Sequence, residues 1–189
     1  MSTFTEALAS IAEGEFDKYH LQHEHDPGLS AEIRQYWTAV GQPFPGVSTP
    51  WSAVFISWCV KEAGATAHDF KFAAAHSVFA QWAIKNADHE TGSFRAFPIT
   101  NDSPNLGDII QNNRNGNSFN YDYARMHSSY ESHSAIVIET GRDSGGRYAL
   151  TVGGNESDSV GKKLIRLDND GLVIQRPHSS YICVIADTM

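Results

Sequence analysis

The stretch TPWSAVFISWC, residues 49–59, decides the fold of this chain. Thr49 is a residue type favoured at helix N-caps, and Pro50 suits a first helical position because its missing N–H has no partner to lose there. The apolar residues that follow recur at i, i+3, i+4, i+7 and i+8, the spacing of a helix buried in a core. They are Trp51, Val54, Phe55, Trp58 and Cys59. The stretch therefore predicts a central buried helix that starts at this Thr-Pro pair and ends at Gly64.

Further helices are predicted on both sides of this stretch, and strands follow them. Apolar periodicity predicts helices over residues 4–19, from Ser30 as N-cap to near Gly41, and over residues 73–86. From residue 101 the chain changes to short alternating runs separated by Gly, Asn and Asp, which favours strands. The predicted strands are residues 108–111, 134–139, 147–152, 163–167, 172–175 and 181–186, and residues 112–132 are predicted to form a long polar loop.

Helices first and antiparallel strands second are typical of an α+β fold. A length of 189 residues suits one sizeable core. We expect a single domain over residues 1–189, with a helical N-terminal part at 1–48, core helices at 49–100 and an antiparallel sheet at 101–189.

Composition excludes several classes of partner. The net charge is −8 and no basic run exceeds Lys162-Lys163, so no nucleic-acid surface is predicted. No apolar stretch approaches the roughly 20 residues of a membrane span. Glu6, Glu13 and Glu15 occupy the start, where a signal peptide needs cations, so we expect synthesis in the cytoplasm without a signal peptide.

Three residues have the chemistry of a hydrolase site. Ser52 lies in the first turn of the predicted helix, where free N–H groups and the helix dipole favour a nucleophile and an oxyanion. His133 begins a predicted strand and can act as the base, and Asn155 follows two glycines in a turn that can direct its amide towards the imidazole. Taken singly, a capping serine, a surface histidine and an ordinary Gly-Asn turn are the alternatives.

Four segments in this order resemble bacterial papain-like cell-wall hydrolases. They are residues 49–58, 104–109 (PNLGDI), 132–137 (SHSAIV) and 153–155 (GGN). The chain is similar to NlpC-type peptidases and CHAP amidases, and most similar to a bacterial domain of unknown function with the same Pro-Trp-Ser-Ala start and a His-containing element like residues 72–76. The resemblance covers about residue 33 to the C-terminus and implies a papain-like fold, with N-terminal helices packed on a C-terminal antiparallel sheet.

Carried over by residue, the resemblance implies Ser52 as nucleophile, His133 as base and Asn155 as the orienting residue. Trp51 and His76 become substrate-binding or auxiliary residues. The better-known hydrolases have cysteine where this chain has Ser52, and serine depends on a base because its pKa is far higher. Cys59 is about two turns deeper in the helix and is expected in the core. We predict no cofactor and no metal, since the histidine-rich segment 20–26 matches no standard ligand spacing.

The implied function is hydrolysis of an amide bond in a peptidoglycan stem peptide by an amidase or endopeptidase. Such a protein is expected to leave the cell through a dedicated secretion system and to act as an antibacterial effector in a target periplasm, with an immunity protein as partner. Release by phage lysis is the alternative route. A catalytically silent papain-like binding module is one alternative, because serine replaces cysteine. A serine esterase or acyltransferase is another, since a Ser/His pair handles esters more readily than amides.

Overall fold

The computed structural model describes residues 3–188, which form helices followed mainly by strands. The helices are α1 (Thr3–Tyr19), α2 (Pro27–Ala39), α3 (Ser52–Glu62), α4 (His76–Asp88) and α5 (Tyr121–Met126). The strands are β1 (Phe94–Pro98), β2 (Ile109–Asn113), β3 (Ser132–Asp143), β4 (Gly146–Gly153), β5 (Gly161–Leu167) and β6 (Tyr181–Asp187). The predicted α+β class is confirmed.

The strands form one antiparallel sheet in the order β1-β6-β2-β3-β4-β5. The four strands from β2 to β5 are consecutive neighbours, as expected of a meander. The meander reaches the edge of the sheet at β5 but not the opposite edge, because β6 lies between β1 and β2. None of the helices in residues 3–188 combines the length and apolarity needed to cross a bilayer.

The two faces of the sheet are buried against different apolar clusters. Ile109 and Ile110 are neighbours in β2, yet Ile109 packs in the large cluster with the helices and Ile110 packs in the smaller cluster on the other face. Successive side chains of a strand point to opposite faces, which explains the division. The large cluster fixes α3 against β3, and this contact positions the site.

Helix α3 starts later than predicted. It begins at Ser52 with Trp51 as N-cap residue, so Thr49 and Pro50 lie before the helix rather than in its first turn. Eight residues of α3 are buried, and Cys59 is among them, as expected. Ser52 is consequently the first helical residue, where backbone N–H groups have no partner within the helix.

Other boundaries also differ from the prediction. Helix α2 begins at Pro27 after Asp26, because proline is favoured at the first helical position, and Ser30 lies inside the helix rather than at its cap. The predicted strand at residues 172–175 is reduced to one bridge between Leu167 and Val173, since the Gln175 side chain bonds the backbone of Tyr181 instead of extending a ladder.

Two elements were absent from the prediction. Strand β1 lies within residues 49–100, the part predicted to form core helices. It pairs with β6, which comes after all the other strands in the sequence. Helix α5 lies within the predicted polar loop, where the Asn120 side chain caps it by accepting a hydrogen bond from the Tyr123 N–H at 2.9 Å.

Candidate active site

Ser52 lies at the floor of a cavity of about 320 Å³ between α3, α4 and the segment that follows β2. The residue is only 3% exposed, and this cavity gives a ligand access to its hydroxyl. The walls combine small apolar groups with polar ones. They are Pro50, Ala53, Ala74, Ala75, His76, Arg114, Asn115, Tyr130, Glu131 and Ser132.

His76 is the hydrogen-bond partner of Ser52. The Nε2 atom of His76 lies 2.7 Å from Ser52 Oγ, and the imidazole edge packs on the Phe79 ring with centroids 5.5 Å apart. His76 is the first residue of α4 and is buried. Burial, with the nearby charges of His133 and Arg114, lowers the pKa of His76 well below its ordinary value. His76 is therefore a neutral imidazole near pH 7.

His133 lies beside His76 and not in hydrogen-bond contact with Ser52. It is the second residue of β3, and its ring centroid is 5.4 Å from that of His76. The Nε2 atom of His133 lies 2.7 Å from Glu156 Oε1. The structure thus brings Ser52 and the two imidazoles together, but the hydrogen bond expected between Ser52 and His133 is formed by His76 instead.

Glu156 makes the contact that the sequence suggested for Asn155. Among residues 3–188 no hydrogen bond joins Asn155 to His133; Asn155 has φ +56° and turns the chain so that the next side chain reaches the imidazole. Asparagine tolerates this left-handed conformation better than most residues. Gly153 contributes by its lack of a side chain, since a Cβ there would lie 3.0 Å from His133 Nε2.

The Glu156 carboxylate also forms an ion pair with Lys163 of β5. Burial opposes ionisation of Glu156, but the hydrogen bonds and charges of His133 and Lys163 outweigh it and lower the pKa to about 2. Glu156 is therefore ionised at any pH above about 4 and offers His133 an acceptor only. An acidic residue directly after Gly-Gly-Asn is the sequence signal that would have identified it.

Trp51 does not line the cavity. Its indole is fully buried against Phe55, and a Cβ on Gly154 would lie 2.6 Å from the ring. The indole N–H donates to Glu24 Oε2 at 3.1 Å. Trp51 acts on the site by fixing the start of α3 and has no surface for contact with a ligand.

The segment of histidines and acids at residues 20–26 has a structural connection to the site. Glu24 is buried, accepts from the Trp51 indole, and its backbone N–H donates to the Asp158 carbonyl at 2.7 Å. Across residues 3–188 no group of three or more His, Cys, Asp or Glu side chains is arranged to hold a metal ion. The segment joins the start of α3 to the turn that presents Glu156.

A second cavity, of about 390 Å³, lies on the Glu156 side of His133. It is strongly polar, and its lining includes Lys163, Arg176 and Asn155 as well as the His133–Glu156 pair. Arg114 lines both cavities. The two cavities therefore flank the imidazoles and meet at one arginine.

Comparison with known proteins gives one family. Residues 23–184 match a family model described as "Uncharacterized protein conserved in bacteria (DUF2272)". No curated protein and no solved structure matches the chain. The match agrees with the resemblance to a bacterial domain of unknown function and does not extend to papain-like or cell-wall hydrolases.

Proposed function

The chain belongs to the DUF2272 family of bacterial proteins, and we propose that it is a serine hydrolase that cleaves an amide bond in cell-wall peptides through an acyl-enzyme on Ser52. One observation carries the proposal. A serine hydroxyl at a helix start lies 2.7 Å from one imidazole, and a second imidazole bonded to a carboxylate stands beside it. The sequence resemblance to papain-like cell-wall hydrolases supports the choice of substrate.

The position of the His76 proton decides which imidazole acts as the base. A neutral imidazole has one N–H, and His76 Nδ1 is buried without a hydrogen-bond partner in the described residues. Nδ1 is unpaired in either tautomer, as a donor when it carries the proton and as an acceptor when it does not, so its burial does not choose between them. We assign the proton to Nε2, which then donates to Ser52 Oγ, because the carboxylate that orients a base faces His133 and not His76. His76 then holds the hydroxyl in place and leaves the Ser52 hydrogen free for another acceptor.

His133 is suited to accept that hydrogen. Its Nε2 faces the ionised Glu156 carboxylate, which accepts and cannot donate, so Nε2 carries the proton and Nδ1 keeps its lone pair. Glu156 fixes this tautomer and stabilises the imidazolium that forms when Nδ1 is protonated. Serine, histidine and a carboxylate have these roles in unrelated hydrolases, where geometry rather than sequence order identifies them.

The reaction proceeds in two steps, acylation of Ser52 and hydrolysis of the resulting ester. Substrate binding must bring His133 Nδ1 within hydrogen-bond reach of Ser52, because the two side chains are not hydrogen-bonded without substrate. Ser52 Oγ then attacks the substrate carbonyl as its proton passes to His133 Nδ1, and the N–H groups of the first turn of α3 stabilise the oxyanion. His133 then gives the proton to the leaving amine as the C–N bond breaks, which leaves an ester on Ser52. Water loses a proton to His133, attacks the ester, and releases the acid and the free serine.

Digestion of isolated sacculi tests the proposal. Wild-type protein is expected to release new amino groups, which amine labelling measures, and Ser52→Ala is expected to release none. Ser118→Ala, in the exposed segment before α5, is the matched control and should digest like wild type. No release by wild type, or equal release by Ser52→Ala, rejects the hydrolase.

One observation favours a catalytically silent binding module as the second candidate. The Ser52–His76 hydrogen bond is buried, and among the described residues no hydrogen-bond partner orients the other ring nitrogen of His76. A hydrogen bond with only a structural role needs no such partner. Ser52→Cys separates the two candidates, because a thiolate is a stronger nucleophile near neutral pH. If wild type is inactive and Ser52→Cys hydrolyses the substrate, the site is assembled but lacks a competent nucleophile. If Ser52→Cys is inactive as well, the binding module is favoured.

A further inference from the structure

Arg114 is a cation without a partner at the place where the two cavities meet. Its guanidinium forms no ion pair and no hydrogen bond within residues 3–188, although it is partly buried. Burying part of a guanidinium is costly unless an anion compensates it.

The backbone around Arg114 is fixed. The preceding residue, Asn113, is buried, and its side chain accepts from the Phe119 N–H at 2.8 Å and donates to the Phe119 and Ser180 carbonyls. These bonds hold the segment after β2 against Ser180, the residue that precedes β6. The guanidinium is consequently presented from a held backbone and not from a free loop.

The acids nearest in the two cavities are already bound to other groups. Glu131 shares the first cavity, and its Oε2 accepts from the Asn115 amide at 3.2 Å. Glu156 shares the second cavity and is held by His133 and Lys163. Neither neutralises Arg114, so the guanidinium is available to an anion that enters the cleft.

We propose that Arg114 anchors a carboxylate of the substrate next to the amide bond that Ser52 attacks. The planar guanidinium matches a carboxylate with two parallel hydrogen bonds. In the cavity that holds Ser52, Arg114 is the only lysine or arginine among the lining residues and Glu131 lies in the same wall, which disfavours a dianion such as phosphate. Arg114 thereby selects peptides with a free carboxylate beside the scissile bond. This inference rests on the proposed function for the identity of that bond.

Equilibrium binding tests the anchor apart from catalysis. The probes are two synthetic stem peptides, one with its glutamate carboxylate free and one with that group as a carboxamide. Calorimetry on Ser52→Ala is expected to give about 10- to 100-fold tighter binding of the acid, the range for a charge-assisted pair. Adding Arg114→Gln should remove the preference.

Arg142→Gln is the matched control for loss of one positive charge. Arg142 is exposed and lies in β3 nine residues beyond His133, roughly 30 Å along an extended strand. The preference for the acid should survive this change. Equal affinity for the two peptides, absence of binding to either, or a preference that survives Arg114→Gln overturns the anchor. A preference lost with Arg114→Gln, together with a wild type that leaves sacculi intact, upholds the anchor and rejects hydrolysis.

Discussion

Glu156→Gln removes the charge that faces His133 and Lys163 and keeps the shape of the side chain. Burial opposes ionisation, yet His133 and Lys163 hold the pKa of Glu156 at about 2, against an ordinary value of 4.5. Because the folded-state pKa is lowered, the charge contributes stability that is present above pH 4.5 and is lost as pH falls through 2. A pKa about 2.5 below the ordinary value corresponds to about 3 kcal/mol, since each unit of pKa is ~1.4 kcal/mol.

Urea unfolding between pH 3 and pH 6, followed by tryptophan fluorescence, measures this contribution. The free energy of unfolding of wild type should exceed that of Glu156→Gln by about 1 kcal/mol at pH 3 and by about 3 kcal/mol at pH 6. Glu62→Gln is the control, because Glu62 is exposed at the end of α3, and its effect should stay within about 0.5 kcal/mol. A gap between wild type and Glu156→Gln that is constant with pH, or that narrows as pH rises, would refute the assigned ion cluster.

Five further substitutions, Gly14→Ala among them as a control, test the catalytic assignment and the support of the site. His133→Gln should abolish amine release from sacculi, whereas His76→Gln, whose amide still donates, should lower the initial rate by about 10- to 100-fold; the reverse order would make His76 the base. Gly154→Ala should lower the free energy of unfolding in urea by about 1–3 kcal/mol, because the new Cβ would lie 2.6 Å from a buried indole. Gly14→Ala, in the helix α1 with no heavy atom within 4 Å, should raise it by about 0.5–1 kcal/mol. Glu24→Ala leaves the indole N–H unpaired and should cost about 1–3 kcal/mol in the same measurement, and an unchanged midpoint would show that the Glu24 contact adds nothing.

The sequence predicted the helix that carries Ser52, because periodicity and turn residues are local signals. The two-residue error at its start arose because Thr49 and Pro50 satisfy cap preferences, while the structure begins the helix at Ser52 without any side-chain cap. Burial of Trp51 on Glu24 fixes the start instead, and this contact spans 27 residues. The preference of a residue type for a helix cap is local, and it contains no information on a contact so distant in the sequence.

The sequence did not predict the hydrogen-bond partners of the two imidazoles, because these partners depend on the backbone conformation at single residues. His76 was predicted inside a helix from residue 73, where its direction would differ; α4 begins at His76, which turns the ring towards Ser52. Glu156 was missed because the left-handed φ of Asn155 decides which of two adjacent side chains faces His133. Pattern and spacing identify a turn, but they do not give the sign of one backbone angle.

Strand β1 was not predicted because the strand it pairs with, β6, is remote in the sequence. Phe94 pairs with Asp187, and only two residues of the five in β1 are buried. An edge strand with one partner has a weak apolar pattern, so a run of five residues carries little signal.

The place of β6 between β1 and β2 has a consequence for folding. Residues 181–187 supply the ladder that joins the strand after α4 to the meander that carries His133. While β6 is unpaired, β1 and β2 have no common neighbour, so β1 cannot join the sheet. Pairing over so long a sequence separation is slow. We therefore expect attachment of β1, and closure of the sheet beneath α4, to be a late event in folding.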